Sequence, residues 1–128
     1  MTIIVCISTH GPQPEAWYIH DDNVIEFDIE RWARYPRLAG LVLAHELGHR
    51  ATWGTMENLH SYPALQTLYS EAAAWAWAFA RRPYRLHERH VAIGALEAYR
   101  RGLGLPTSYD TTSILETACR AALRSRLR

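Results

Sequence analysis

The segment His45-Glu46-Leu47-Gly48-His49 constrains the fold of this 128-residue chain more than any other feature. An HExxH pattern makes chemical sense on a helix, where positions four apart share a face and both imidazoles can direct ring nitrogens at one point about 2.0 Å away. Glu46, three before His49, then holds its carboxylate over the open side of that point, within reach of a water but outside the coordination shell. The flanking sequence agrees, because Leu38, Leu41, Val42, His45 and His49 keep i, i+3, i+4 spacing. A helix is therefore expected from about Arg37 to Trp53, with the motif on its inward stripe. Pro36 precedes it and Gly54 ends it. Gly48 is a poor helix former, and its missing side chain is expected to let another element approach the motif closely.

Ahead of this helix the chain reads as strands, Ile3 to Ser8, Ala16 to His20 and Val24 to Ile29, separated by a Gly- and Pro-containing turn at residues 9 to 14 and a hairpin turn at Asp21-Asp22-Asn23. In the third strand Ile25, Phe27 and Ile29 alternate with Glu26, Asp28 and Glu30, so one face must pack on something. Behind it a loop at about 55 to 66 leads into a helix from about Leu65 to Arg82, stopped by Pro83. Its Ala72 to Ala80 stretch is apolar all round, the mark of a buried central helix. A third helix runs from about Leu86 to Arg101 and ends at Gly102 and Gly104; a fourth starts at Ser113, where Ser113 and Glu116 have capping-box spacing. Strands first and helices afterwards describe an α+β domain, and the length fits one domain over residues 1 to 128.

Composition removes several classes. A net charge of +1 carries no global nucleic-acid signal, and the basic residues, all fourteen of them Arg, are given no functional weight. Cys6 and Cys119 form neither a disulfide framework nor a metal clip and are expected as buried thiols. The apolar run Ile3 to Ile7 has no basic flank and is too short for a signal-peptide core or a membrane span, so a cytoplasmic protein is expected.

A hydrolytic zinc site takes three protein ligands and keeps a position for water, so the third ligand decides the class. A metzincin-like site needs Gly three and His six positions after the second His, where this chain has Thr52 and Thr55. The remaining candidate is Glu71, at the head of the alanine-rich helix, where it shares a face with Trp75 and Ala78. A carboxylate leading into a buried helix needs a charge partner, and a dication supplies one. The competing reading makes Glu71 a carboxylate favoured by the helix dipole, with His60 or water completing the sphere. His87 and His90 are expected on a surface face, His10 at a loop and His20 at a strand end.

His45-Glu46-Leu47-Gly48-His49 followed by Glu71-Ala72-Ala73-Ala74-Trp75-Ala76 on the next helix resembles the gluzincin metallopeptidases, above all the minigluzincins and the ImmA/IrrE-type peptidase domain. The resemblance covers about residues 24 to 82. It implies a small zincin-like domain with a short N-terminal sheet of about three strands and about four helices, among them an active-site helix and a glutamate helix. It also implies one Zn²⁺ held by His45, His49 and Glu71, Glu46 as general base, a polypeptide substrate, and Val24 to Ile29 as the rim strand along which that substrate lies. Many ImmA/IrrE-type sequences place Asn and Phe where this chain has Ala73 and Trp75.

The function so implied is zinc-dependent endopeptidase activity of narrow specificity, or latent with the C-terminal helix over the cleft. Tyr69, Tyr84, His87, His90 and Tyr109 are candidates for a second donor to the developing oxyanion, and each ligand His should donate its other ring nitrogen to an acceptor. Two other classes compete. One is a zinc-binding but catalytically inactive protein-interaction domain, a reading to which the Arg-bearing last helix contributes. The other is a metal-free helical interaction module in which the motif is accidental.

Overall fold

The computed structural model describes residues 3–7, 16–19, 21–28, 32–34, 36–53 and 62–126. The expected strand and helix ends at Ser8, His20, Ile29 and Gly54, the turn at residues 9 to 14, and His10 and His60 lie outside the described residues. Three strands, β1 (Ile3–Ile7), β2 (Ala16–Ile19) and β3 (Val24–Asp28), precede four helices, α1 (Pro36–Thr52), α2 (Pro63–Arg81), α3 (Leu86–Gly102) and α4 (Thr111–Arg126). The fold is α+β and mostly helical.

β2 and β3 form an antiparallel hairpin with Tyr18 opposite Ile25 and Ala16 opposite Phe27. Asn23 closes the turn with φ 51°, a left-handed conformation that Asn tolerates better than most residues. The Tyr18 hydroxyl donates to Asn23 Oδ1 at 3.1 Å, so the hairpin ties its own corner. β1 runs parallel to β3 on its other side, with Ile4 opposite Ile25. β3 is thus the middle strand of the order β1-β3-β2, and both of its edges are paired. This corrects the expectation that Val24 to Ile29 forms a rim; among the described residues the edge strand on the hairpin side is β2.

The alternation in β3 packs as its pattern requires, with Ile25 and Phe27 buried. They join Trp32, which stacks on Phe27 at 6.1 Å, and the group is covered by Leu38, Ala39, Val42, Leu43 and Leu47 of α1. Asp28 departs from the pattern, being fully buried where an outward carboxylate was expected. The second face of the strand is covered at that end.

A second core forms among the helices, from Leu41, Leu68, Ala72, Trp75, Phe79, Ala92, Leu96, Leu105, Ile114 and Leu115. Leu38 touches both cores, so α1 is a shared layer between sheet and helices. α2 is buried nearly all round, Ala73 and Trp77 alone in the Ala72 to Ala80 stretch being partly exposed. Pro36 and Pro63 each stand at a helix start, where the missing N–H costs nothing and the fixed φ is already helical. Both helices therefore begin one or two residues earlier than the apolar spacing alone suggests.

The last two helices are tied together by a polar knot. Arg100 donates from Nε and Nη2 to Glu97 Oε2 at 3.4 and 3.1 Å and from Nη1 to the Leu105 carbonyl at 2.8 Å, while Thr111 Oγ1 donates to Glu97 Oε1 at 2.6 Å. α3 turns off through Gly104, at φ +72°, a value glycine adopts without a steric penalty. α4 starts at Thr111 rather than Ser113, because Asp110 caps it: its Oδ1 accepts from the Thr112 N–H at 3.1 Å and its Oδ2 from Ser113 Oγ at 3.0 Å. Cys119 is a half-buried free thiol beside the helical core. No helix among the described residues is long and apolar enough to cross a membrane.

Candidate metal centre

The site is created by how closely α1 and α2 approach. A Cβ built on Gly48 would collide with the carbonyl oxygen of Ala74 and stand 2.9 Å from its Cα, so the helices touch backbone to backbone at this level. Further along, Gly40 faces Arg82, so contacts move forward on α2 as they move back on α1 and the two helices run antiparallel. Glu71 is one turn N-terminal to Ala74 and therefore meets the C-terminal half of α1, where His45 and His49 stand one turn apart.

Three ligating atoms converge there. Glu71 Oε2 is 2.9 Å from His45 Nε2 and 3.1 Å from His49 Nε2, and the two nitrogens are 3.1 Å apart. His45, His49 and Glu71 form a group able to hold a metal ion, with His45 and Glu71 buried and His49 partly so. Both imidazole N–H groups can donate to Glu71 Oε2 when no ion is bound, and a cation in front of the triangle would be met by all three atoms at once. Tetrahedral donors at zinc distances are about 3.3 Å apart, within a few tenths of an ångström of this spacing.

The electrostatics prepare the same set. Burial works against charge on His45 and prevails over the attraction of Glu71, so its pKa is lowered. Burial acts likewise on His49, but the hydrogen bond and charge of Glu71, with the charge of Glu46, outweigh it and the pKa rises. For Glu71 burial alone would favour the neutral acid; hydrogen bonds donated by both imidazoles reverse this and hold the carboxyl at about 2. The ionised Glu71 and the lowered pKa of His45 suit a divalent ion, whereas His49, with its raised pKa, must give up its proton to bind one.

Glu46 stands beside the triangle without joining it. It is buried, and burial pushes its carboxyl up to about 7; the charge of Glu71 adds to this, while His49 and a hydrogen bond from the Tyr18 backbone oppose it. The edge strand β2 is therefore held directly against Glu46, the acid between His45 and His49 in the chain. Trp75 walls the other side, stacked on the His45 ring at 3.9 Å between centroids and 25° between planes. This stacking holds the plane of the His45 imidazole by contact. His45 Nδ1 and Trp75 Nε1 are both buried without a hydrogen-bond partner among the described residues, so the expected acceptor behind His45 is not found.

Tyr84 packs on Phe79 at 4.5 Å, Tyr69 and Tyr109 pack around the helical core, and His87 and His90 are exposed. Tyr99 of α3 reaches the site. The side chain is 42% exposed, and its hydroxyl is hydrogen-bonded to the Glu71 carboxylate and feels the charge of Glu46; partial burial and these two acids raise its pKa, so it remains a neutral donor. The sequence holds the signal for it, since Ala92, Leu96 and Tyr99 follow one helical stripe at i, i+4, i+7 and the first two are core.

Comparison with protein-family models, with curated proteins and with solved structures gives no match.

Proposed function

We propose that this chain is a zinc-dependent endopeptidase of gluzincin type with a zincin-like fold, of narrow specificity or latent. The observation that carries the reading is the convergence of His45 Nε2, His49 Nε2 and Glu71 Oε2 beside the buried carboxyl of Glu46. Two imidazoles and one carboxylate favour zinc over harder ions. Zinc, when bound, supplies Lewis-acid polarisation of a water and of the scissile carbonyl.

The chain's own groups then do the following. His45, His49 and Glu71 hold the ion, and the stacked Trp75 keeps the His45 ring in its plane. Glu46, whose carboxyl titrates near neutrality in its buried setting, takes the proton of the attacking water and delivers it to the leaving amine. The neutral Tyr99 hydroxyl donates to the oxyanion side of the scissile carbonyl. An extended polypeptide lies beside the edge strand β2, whose Tyr18 backbone already faces Glu46.

The test is Glu46→Gln. The variant should bind zinc as the parent does and lose peptide hydrolysis by about a hundredfold or more. Full hydrolysis in a zinc-loaded Glu46→Gln protein would overturn the role of the base. A zinc-loaded parent that cleaves nothing across a diverse peptide library would favour the inactive zinc-binding interaction domain instead.

A further inference from the structure

His45 lacks the partner that a metal-bound imidazole ordinarily has. When Nε2 ligates an ion, the neutral ring carries its proton on Nδ1, and ligand histidines almost always donate that N–H to a carboxylate, a carbonyl or a water. His45 Nδ1 is buried and has no hydrogen-bond partner among the described residues. The ring's support comes from its face, where the indole of Trp75 stacks with centroids 3.9 Å apart and planes 25° from parallel.

The fold fixes this pair. Trp75 follows Glu71 by one turn of α2, so the ligand carboxylate and the indole meet α1 together. One turn further on, Phe79 stacks on Trp75 at 6.2 Å, and Trp75 belongs to the helical core with Leu41, Leu68 and Ala72. Turning the indole off the imidazole would break up that core. Trp75 is 4% exposed and His45 6%, so little solvent reaches the pair to screen a charge on either ring.

An imidazole that coordinates a dication gives up electron density and becomes positive. Positive charge within about 6 Å of an aromatic centroid is attracted to the π face, most strongly by indole and more strongly in a dry site. The chain shows the same attraction elsewhere on α2, where Arg81 Cζ lies 4.5 Å from the centroid of the Trp77 ring. At His45 the contact is closer and buried. A neutral imidazole gains little from the π face and a metal-bound one gains more. The difference therefore enters the affinity for the ion and not the stability of the metal-free fold.

We propose that Trp75 is a positioning residue whose π electrons stabilise the metal-bound form of His45, in the place of a hydrogen-bond acceptor on Nδ1. The role rests on the metal centre described above and goes beyond holding the plane of the ring.

Fluorinated tryptophans put in place of Trp75 in the full chain test this, because fluorine withdraws electron density from the π face and hardly alters the size of the ring. Trp75 Nε1 has no hydrogen-bond partner among the described residues, so fluorination perturbs no hydrogen bond there. In calorimetric zinc titrations, affinity should fall stepwise from tryptophan through difluorotryptophan to tetrafluorotryptophan, by about tenfold in all. Urea denaturation of the metal-free proteins should be the same throughout, and the same replacements of Trp77 should leave zinc affinity unchanged. Trp75→Phe, which keeps a weaker π face, should bind zinc more tightly than Trp75→Leu. Equal zinc affinity across the fluorinated series overturns the proposal and leaves Trp75 a packing residue, as does a loss matched by an equal loss of metal-free stability. A parent that takes up no zinc sinks the metal centre itself, whereas a parent that binds zinc with a flat series sinks only this role of Trp75.

Discussion

Gly48 and Ala74 touch backbone to backbone: a methyl group on Gly48 would collide with the Ala74 carbonyl oxygen and stand 2.9 Å from its Cα. In an exposed helix Gly→Ala gains about 1 kcal/mol from propensity. Here the clash with rigid backbone outweighs that gain, since overpacking a tight contact costs about 1–3 kcal/mol or more. Gly48→Ala is expected to lower stability by ~2 kcal/mol in urea denaturation. It should also weaken metal binding, because parting α1 from α2 draws Glu71 away from His45 and His49. A variant as stable and as tight-binding as the parent would show that the helices are not this close.

Glu46 and Glu71 make opposite demands on the metal-free protein. Glu46 has a folded pKa of about 7 against an ordinary 4.5, so its contribution to stability is fully present below the ordinary value and is lost as pH rises through 7. Glu71, at about 2, contributes above its ordinary value and loses that contribution as pH falls through 2. Each shift corresponds to ~3 kcal/mol. Glu46→Gln removes the loss on the alkaline side. It should make the metal-free protein more stable than the parent by up to ~3 kcal/mol at about pH 8, with the advantage vanishing near about pH 4. Chemical denaturation at the two pH values measures it, and an equal or lower stability at the higher pH counts against a strained buried carboxylate.

Tyr99→Phe keeps the ring and removes the hydroxyl that faces Glu71. Loss of one oxyanion donor lowers kcat by about 10²–10³ in sites of this kind. The variant should show that fall in turnover, with KM and zinc affinity little changed. A matching loss of zinc would make Tyr99 a support for Glu71 rather than a donor to the substrate.

Arg100 is buried and donates to Glu97 and to the Leu105 carbonyl, and Thr111 holds the same Glu97. Arg100→Ala leaves the buried Leu105 carbonyl without its donor and takes one of two partners from Glu97 at the joint between α3 and α4. A loss of ~2–3 kcal/mol in urea denaturation is expected, without effect on zinc affinity.

How far the molecule can be read from its residues depends on the range of the signal. The grouping of His45, His49 and Glu71 rests on periodicity within two helices that follow one another in the chain, and such local patterns were legible, as was the need for glycine at 48. The middle position of β3 was not, because it depends on β1 returning in parallel from the far side of the sheet, and alternation says which face is buried but never which edge is paired. Ser113 and Glu116 imitate a capping box, yet Asp110 captures the Ser113 hydroxyl and starts the helix itself. Tyr99 lies on a visible stripe of α3, but only the packing of α3 against α2 decides that the stripe ends over Glu71.

The most direct measurement is zinc titration of the metal-free protein beside Glu71→Gln, with the ligand set read by X-ray absorption. One zinc per chain bound by two imidazoles and a carboxylate, weakened by about a hundredfold in Glu71→Gln, is the expected result. No zinc uptake by the parent, or undiminished affinity in Glu71→Gln, would contradict the account.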